Sequence, residues 1–272
     1  MTNRGIRRIG ALLAKELVDL RGNPGLFVPA VITGVISIVI PFIVAIAVPY
    51  FTGERLADSS DFKVAIEMYR DQPATSSLDP EGAIQAFIFQ QFLILLVVTP
   101  VAAAMSVAAY AVIGEKQART LEPLLATPLT TFELLAAKVL GALLPGVVLV
   151  TICFGLYLAG LVLFAHTGVY RVLLFPRSLL TIFLLGPLAS LAALQMAVCV
   201  SSRVADARSA QQIGALIILP ISALLVAEFS GAVQLTSALI LAICAGLVVL
   251  NAVLMAIGIS LFDRESILTR WK

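Results

Sequence analysis

Residues 114–138 read GEKQARTLEPLLATPLTTFELLAAK and separate two long apolar runs. Charged residues are frequent in this stretch and almost absent from the runs on either side. A helix needs about 20 consecutive apolar residues to cross the hydrocarbon core of a bilayer. The pattern therefore predicts two membrane-spanning helices joined by a charged segment at the membrane surface.

The composition of the whole chain extends this prediction. Hydrophobic residues make up 60% of the 272 residues, charged residues make up 12%, and the mean hydropathy is +1.05. A soluble domain carries roughly a quarter charged residues. Because backbone groups in lipid must be satisfied within their own segment, we expect helices and not open strands. The chain is predicted to be an all-α integral membrane protein.

The apolar runs predict a single domain over residues 1–272, built as a six-helix transmembrane bundle. The first run could alternatively be a cleaved secretory signal, since a small-residue pattern occurs near its end. The apolar core of such a signal is about 7–15 residues, and the first run is much longer, which favours a span. The six predicted spans are 26–51, 84–114, 139–165, 178–200, 213–229 and 236–262.

The distribution of Lys and Arg predicts the orientation, because cytoplasmic loops are enriched in these residues. An inside N-terminus places 13 of the 18 basic residues in the cytoplasm and five outside. The chain is therefore expected to be a multi-pass protein of the cell membrane, with both termini cytoplasmic. The cytoplasmic segments are 1–25, 115–138, 201–212 and 263–272.

The segment 1–25 predicts an amphipathic helix. Ile6, Ile9, Leu13 and Leu17 recur at three- and four-residue steps, and Lys15 lies on the other side. One apolar stripe opposite a basic face is typical of a helix that lies in the membrane interface. The alternative is a soluble helix that packs on a partner.

The largest predicted external segment is the loop 52–82, in which seven acidic residues outnumber three basic ones. Phe62, Ile66 and Tyr69 share one helical face. A short surface helix that serves as a gate or as a docking site for an external partner is one interpretation. An ordinary solvated loop is the other, and we favour it.

Residues for catalysis or metal binding do not form a recognisable pattern. His166 is the only histidine, and Cys153, Cys199 and Cys244 form no paired-cysteine motif. No Gly-rich loop ending in Gly-Lys-Ser or Gly-Lys-Thr occurs. We therefore expect no enzyme activity, no metal site and no bound cofactor in this chain.

The predicted spans contain almost no ionisable residue, and Glu228 is the nearest exception. Ion-coupled transporters need titratable or ion-coordinating groups near the middle of the membrane. A protein of this composition that moves a substrate uphill is expected to receive its energy from the cytoplasmic side.

The segment 115–138 is suited to receive it. Its first part presents both charged and apolar side chains, and Thr127-Pro128 interrupts the helix because the residue before proline disfavours the α region. Thr130 followed by Glu133 predicts a capping box that opens the next helix. The segment is either a docking element or an ordinary surface loop.

The same segment closely resembles the signature of ABC-2 type transporter permeases. The matching parts are Thr120-Leu-Glu122, Leu124-Leu-Ala-Thr-Pro128 and Glu133-Leu-Leu135, and weaker similarities extend from the N-terminal helix to the tail. The family often has a Glu-Arg-Glu pattern and a Gly before the Thr, which this chain lacks.

The resemblance implies the permease subunit of an ATP-driven exporter. Such subunits have six spans, pair with a second copy or a homologous permease, and dock a separate ATPase subunit that binds ATP and Mg. By this resemblance, a coupling helix between spans 2 and 3 would face the ATPase, and a second cytoplasmic loop would form a weaker contact. The coupling residues are Glu115, Arg119, Thr120, Leu121, Glu122, Leu124 and Leu125, and the second contact is Arg203, Asp206 and Arg208.

Among the polar residues inside the predicted spans are Gln90, Gln91, Gln195 and Asn251. They could line a translocation path, or they could bond to one another between helices; we favour interhelical bonding. The alternative functions are a secondary transporter or channel that needs no ATPase, and a membrane anchor for an enzyme complex.

Overall fold

The computed structural model describes residues 3–53, 55–56, 78–117, 130–201, 212, 215–230 and 232–261. The described part is helical and contains no strand. The α-helices, in chain order, are α1 (Asn3–Arg21), α2 (Val28–Phe42), α3 (Val48–Thr52), α4 (Pro80–Gln117), α5 (Thr131–Phe164), α6 (Val169–Leu173), α7 (Pro176–Leu180), α8 (Gly186–Ser201), α9 (Ile218–Phe229) and α10 (Ser237–Leu261).

Some helices continue one another through short irregular segments. A π-helical turn at Ile43–Ala47 joins α2 to α3, and a second one at Thr181–Leu185 joins α7 to α8. A 3₁₀ turn at Pro24–Phe27 precedes α2, and Ala215–Ile217 precedes α9. Such junctions change the direction of side chains without ending the helix.

Five of the predicted spans are confirmed as helices that are long and apolar enough to cross a membrane. The fifth predicted span, 213–229, corresponds to a shorter apolar helix at Ala215–Phe229. Within the described residues, five helices are thus long and apolar enough to cross a membrane, and the count of six spans stays a prediction. The five long helices are Pro24–Thr52, Pro80–Val107, Ala136–Phe164, Pro176–Cys199 and Ser237–Ser260.

Helix α4 lies at the centre of the bundle, where it contacts α2, α5, α8 and α9. In its most apolar part 78% of the residues are buried, whereas the corresponding value for α10 is 17%. The two most buried spans, Pro80–Val107 and Pro176–Cys199, are also the two least apolar of the five. The three more apolar spans are the least buried, and they lie at the periphery of the bundle.

Close packing around α4 depends on small residues. A Cβ added at Gly34 of α2 would lie 2.8 Å from Cys153 Sγ and 3.4 Å from Thr99 Cγ2. A Cβ at Gly146 of α5 would lie 3.2 Å from the Pro100 carbonyl oxygen. Small residues allow helix backbones to approach closely in membranes, where lipid is as apolar as a leucine side chain.

Two interhelical hydrogen bonds fix the register of the helices around α4. Ser37 Oγ donates to the Leu95 carbonyl oxygen at 3.0 Å, and Tyr157 Oη donates to the Phe89 carbonyl oxygen at 2.9 Å. Just after the C-terminus of α5, the His166 backbone N–H donates to Gln85 Oε1 at 2.9 Å. The start of α4 therefore lies beside the end of α5, and the two helices are antiparallel.

Candidate functional site

The first helical turn of α5 directly follows the predicted coupling segment. Thr130 Oγ1 accepts a hydrogen bond from the Glu133 N–H at 3.1 Å, and Glu133 Oε2 accepts one from the Thr130 N–H at 3.0 Å. The predicted capping box is therefore confirmed. Both partners satisfy backbone donors that a helix N-terminus leaves unpaired. The point at which the chain enters α5 is fixed by these two bonds.

Helix α1 packs against this first part of α5 and is joined to it by ion pairs. Lys138 Nζ lies 3.4 Å from Glu16 Oε1, and these side chains are only 7% and 13% exposed. Arg8 approaches Glu133 at 3.9 Å, but its side chain is 43% exposed. Exposed pairs contribute about 0–1 kcal/mol, so the buried Glu16–Lys138 pair is the stronger link.

The backbones of the two helices are also close at this junction. A Cβ added at Gly141 would lie 2.9 Å from Glu16 Cβ and 3.8 Å from Leu13 Cδ1. Leu20, one turn after Glu16, is 6% exposed and packs with Val139 and Ala142 of α5. The apolar stripe of α1 thus contacts α5, and placement of α1 in the membrane interface stays a prediction.

The predicted ATPase-facing residues come shortly before α5 in the sequence. Glu115 belongs to the last turn of α4. The other coupling residues, Arg119, Thr120, Leu121, Glu122, Leu124 and Leu125, lie outside the described residues, as do Arg203, Asp206 and Arg208 of the second predicted contact. Their roles stay predictions, and the described structure contributes the position of the helix ends that flank the coupling segment.

A second polar cluster lies at the opposite end of the bundle. Arg177 at the start of α7 forms an ion pair with Glu228 near the end of α9, and the Glu228 side chain is 4% exposed. The Gln91 amide of α4, in the orientation that satisfies both groups, donates to Glu228 Oε2 at 2.8 Å and to Oε1 at 3.2 Å. One buried carboxylate therefore connects three helices.

This cluster surrounds a small cavity. Its volume is about 10 Å³, and Gln90, Arg177, Ser178, Thr181 and Glu228 are among its lining residues. The Ser178 hydroxyl is buried and makes no hydrogen bond within the described structure. A cavity that holds one water needs about 10–15 Å³ and two to four polar partners. The space fits a single water molecule and is too small for a transported substrate.

Asn251 and Gln195 lie away from this cluster. Asn251 Nδ2 donates to the Leu188 carbonyl oxygen of α8 at 3.1 Å and to the Leu247 carbonyl oxygen at 2.8 Å. Gln195 is 5% exposed, and its Oε1 atom is buried and unbonded in the described structure. The neighbouring Leu194 packs with Ala104, which follows Gln91 by 13 residues, or about 20 Å along α4.

Comparison with known families gives a match that covers most of the bundle. The family model described as "ABC-2 family transporter protein" matches residues 28–238. The chain belongs to the ABC-2 transporter family. A comparison with curated proteins finds no match.

In this ABC-2 family protein, the four predicted path residues do not form one continuous polar lining. Gln90 and Gln91 belong to the Glu228 cluster, and Gln91 and Asn251 both bond to a neighbouring helix. These contacts favour interhelical bonding, the interpretation preferred from the sequence, for Gln91 and Asn251. A role of Gln90, Gln91, Gln195 and Asn251 in a translocation path stays a prediction.

Two ion pairs of the ABC-2 bundle were not predicted from the sequence. Glu16 and Lys138 are 122 positions apart, and Arg177 and Glu228 are 51 apart. A signal was present for the second link, because Glu228 is the only charged residue of its span and needs a cationic partner at the same membrane face. For the first link, Glu16 lies near the apolar stripe of a helix in which basic residues outnumber acidic ones.

Proposed function

We propose that the chain is the permease subunit of an ATP-driven exporter of the cell membrane. It forms the translocation path as a dimer with a second copy or a homologous permease. A separate ATPase subunit binds ATP and Mg and contacts its cytoplasmic loops. The observation that carries the proposal is the ABC-2 family match over residues 28–238.

The junction between α1 and α5 supports a mechanical role for the coupling segment. The segment 118–129 connects the central helix α4 to α5, and the capping box fixes the entry into α5. A displacement of the segment would therefore move α5 together with α1, because Glu16 and Lys138 hold the two helices in contact. The ATPase would act on two helices through one surface.

The described part of the bundle offers little chemistry by which the protein could drive transport without a partner. Glu228 is paired with Arg177 and bonded to Gln91 at one end. No group of three or more His, Cys, Asp or Glu side chains within the described residues could hold a metal ion. An energy source on a partner subunit agrees with this arrangement. Both termini and the coupling segment would then lie in the cytoplasm, in line with the bias of basic residues.

The proposal is tested by capture of the ATPase with the tagged, full-length chain from host membranes. The wild-type chain is expected to copurify with a subunit that contains a Walker-type ATP site and hydrolyses ATP. Replacing both Leu124 and Leu125 by Asp should reduce capture at least ~30-fold, since a central apolar contact in an interface contributes about 2 kcal/mol or more. Glu122→Arg should also weaken capture.

The matched control adds two charges to the predicted external loop, as Val64→Asp with Ile66→Asp. This control should capture the ATPase as well as the wild type does. Membrane content and thermal unfolding of each variant show that the chain inserts and folds. Equal capture by the Leu124 and Leu125 double variant would contradict the docking role. A wild-type chain that captures no ATPase would favour a secondary transporter or a membrane anchor.

A further inference from the structure

An apolar groove lies where α1 ends and the first long span begins. Its volume is about 480 Å³, within the range of about 300–1,000 Å³ that is usual for small-molecule sites. Its lining includes Leu17 and Leu20 of α1, Phe27 of the 3₁₀ turn before α2, and Pro145 of α5. The groove is thus built by three separate elements.

A single charged side chain lines this groove. Arg21 belongs to the last turn of α1 and is exposed. Two other basic residues of α1 lie near acidic groups. Lys15 is 3.6 Å from Asp19, and Arg8 is near Glu133. Arg21 forms no ion pair with a described residue, so its guanidinium can bind an anion from outside the chain.

The position of the groove along the bundle determines which anion it meets. The span Pro24–Thr52 begins three residues after Arg21, and Phe27 already belongs to this span. Arg21 therefore lies at the level of the lipid headgroups, and the apolar side chains lie on the hydrocarbon side of it. A basic side chain at the headgroup level above an apolar groove matches the two parts of an anionic phospholipid.

We infer that this groove binds one anionic phospholipid from the adjacent leaflet. The Arg21 guanidinium donates hydrogen bonds to the lipid phosphate, and an acyl chain packs against Leu17, Phe27 and Pro145. A zwitterionic lipid is bound less well, because its own ammonium group offsets the phosphate charge. Because α1 and α5 both line the groove, the bound lipid also stabilises the position of α1 on α5.

The test uses tryptophan fluorescence in vesicles. The chain has one native tryptophan, Trp271, which is replaced by Phe, and Val18→Trp places a new one at the edge of the groove, where Val18 is 65% exposed. Lipids with brominated acyl chains quench tryptophan on contact. Brominated phosphatidylglycerol should be preferred over brominated phosphatidylcholine about fivefold, since one basic residue near the surface contributes about 1 kcal/mol.

Two charge variants separate the groove from general attraction to a basic helix. Arg21→Gln should reduce the preference to about one, whereas Arg7→Gln, which removes the same charge about 20 Å away along α1, should leave it unchanged. Val162→Trp places a tryptophan on an exposed part of α5. It should show no preference between the two lipids, with or without Arg21→Gln. If Val18→Trp disturbs folding, retention of phosphatidylglycerol is measured by native mass spectrometry with Val18 intact.

The outcomes that overturn the inference are distinct. Equal quenching by the two lipids, or a preference that survives Arg21→Gln, excludes a site at Arg21. An equal loss in the Arg7 and Arg21 variants shows only general attraction to charge. No quenching by either lipid shows that a protein segment or a second copy covers the groove. In the mass-spectrometric measurement, equal retention of phosphatidylglycerol by the wild type and Arg21→Gln excludes the site.

Discussion

The two ends of this bundle each contain a buried ion pair, and the pairs connect different kinds of helix. At one end, Arg177 and Glu228 join α7 and α9, and Gln91 adds the central helix α4. At the other end, Glu16 and Lys138 join α1, which lies outside the long spans, to the start of α5. The first pair connects helices within the bundle. The second joins α1 to the helix that directly follows the predicted ATPase-facing segment.

This difference predicts that loss of the two pairs has distinguishable effects in experiments. Loss of the Arg177–Glu228 pair should lower stability without a specific effect on an ATPase partner, because no predicted contact segment adjoins it. Loss of the Glu16–Lys138 pair should affect the response to the ATPase as well. The following predictions test this contrast in order of decreasing effect.

The largest effect is expected from Glu228→Ala. It leaves the Arg177 guanidinium largely buried without its partner, and removing one member of a buried pair costs about 3–5 kcal/mol. Thermal unfolding of the purified protein in detergent measures the loss. Replacing both members, as Arg177→Met with Glu228→Leu, should restore most of the stability. An unchanged midpoint for Glu228→Ala would show that the pair does not stabilise this end of the bundle.

Lys138→Met tests the opposite end. We expect a loss of about 3 kcal/mol, at the lower limit for a buried pair, because Glu16 keeps some contact with solvent. The folded variant should still capture the ATPase, but the captured complex should hydrolyse ATP more slowly. The exchange of charges, Glu16→Lys with Lys138→Glu, should recover part of both properties. If hydrolysis by the folded single variant equals that of the wild type, the junction has only a structural role.

Packing around α4 is tested by two glycine substitutions. Gly34→Ala places a methyl group 2.8 Å from Cys153 Sγ, and overpacking of this kind costs about 1–3 kcal/mol. Gly155→Ala is the control, since no atom lies within 4 Å of the added Cβ. The unfolding midpoint should fall only for the Gly34 variant. Equal midpoints would mean that α2 can move away from α4 and α5 without loss.

The smallest effect is expected from Thr130→Ala, which removes the side-chain cap of α5. Loss of such a cap costs about 1 kcal/mol. Thr151→Ala in the same helix is the control, because its hydroxyl bonds only to the Val147 carbonyl within the helix. Unfolding midpoints of the two variants should differ by a few degrees. A Thr130 variant as stable as the Thr151 variant would show that the cap adds nothing beyond the ion pairs.

Much of the architecture could be predicted from the sequence because the membrane imposes a simple pattern. Five long apolar runs became five helices of spanning length, and Thr130 with Glu133 forms the expected capping box. The run 213–229 was assigned as a span from its apolar character, but its helix, Ala215–Phe229, is shorter than the other five. The length of this helix was the property that the apolar pattern predicted least well.

The arrangement of the helices was harder to predict because every span is apolar on all sides. One signal was present: the two least apolar spans are the two most buried ones. Their polar residues, such as Gln91, find partners inside the bundle, while the most apolar helices face outward. The pairing of Glu16 with Lys138 depends on how α1 folds back on α5, and no local pattern contains that information.

We expect α1 and the start of α5 to move as one body when the proposed ATPase subunit acts. The direct measurement is the distance between spin labels at Arg7 and Val148, both exposed and on the order of 20 Å apart along the junction. The labels are introduced after replacement of Cys153, Cys199 and Cys244, in the complex with the captured ATPase.

We expect the same Arg7–Val148 distance in the nucleotide-free and the ATP-bound complex. In Lys138→Met, where the link between the helices is lost, the distance distribution should be broader or shifted. A wild-type distance that changes when ATP binds would show that α1 moves independently of α5, the opposite of what we expect.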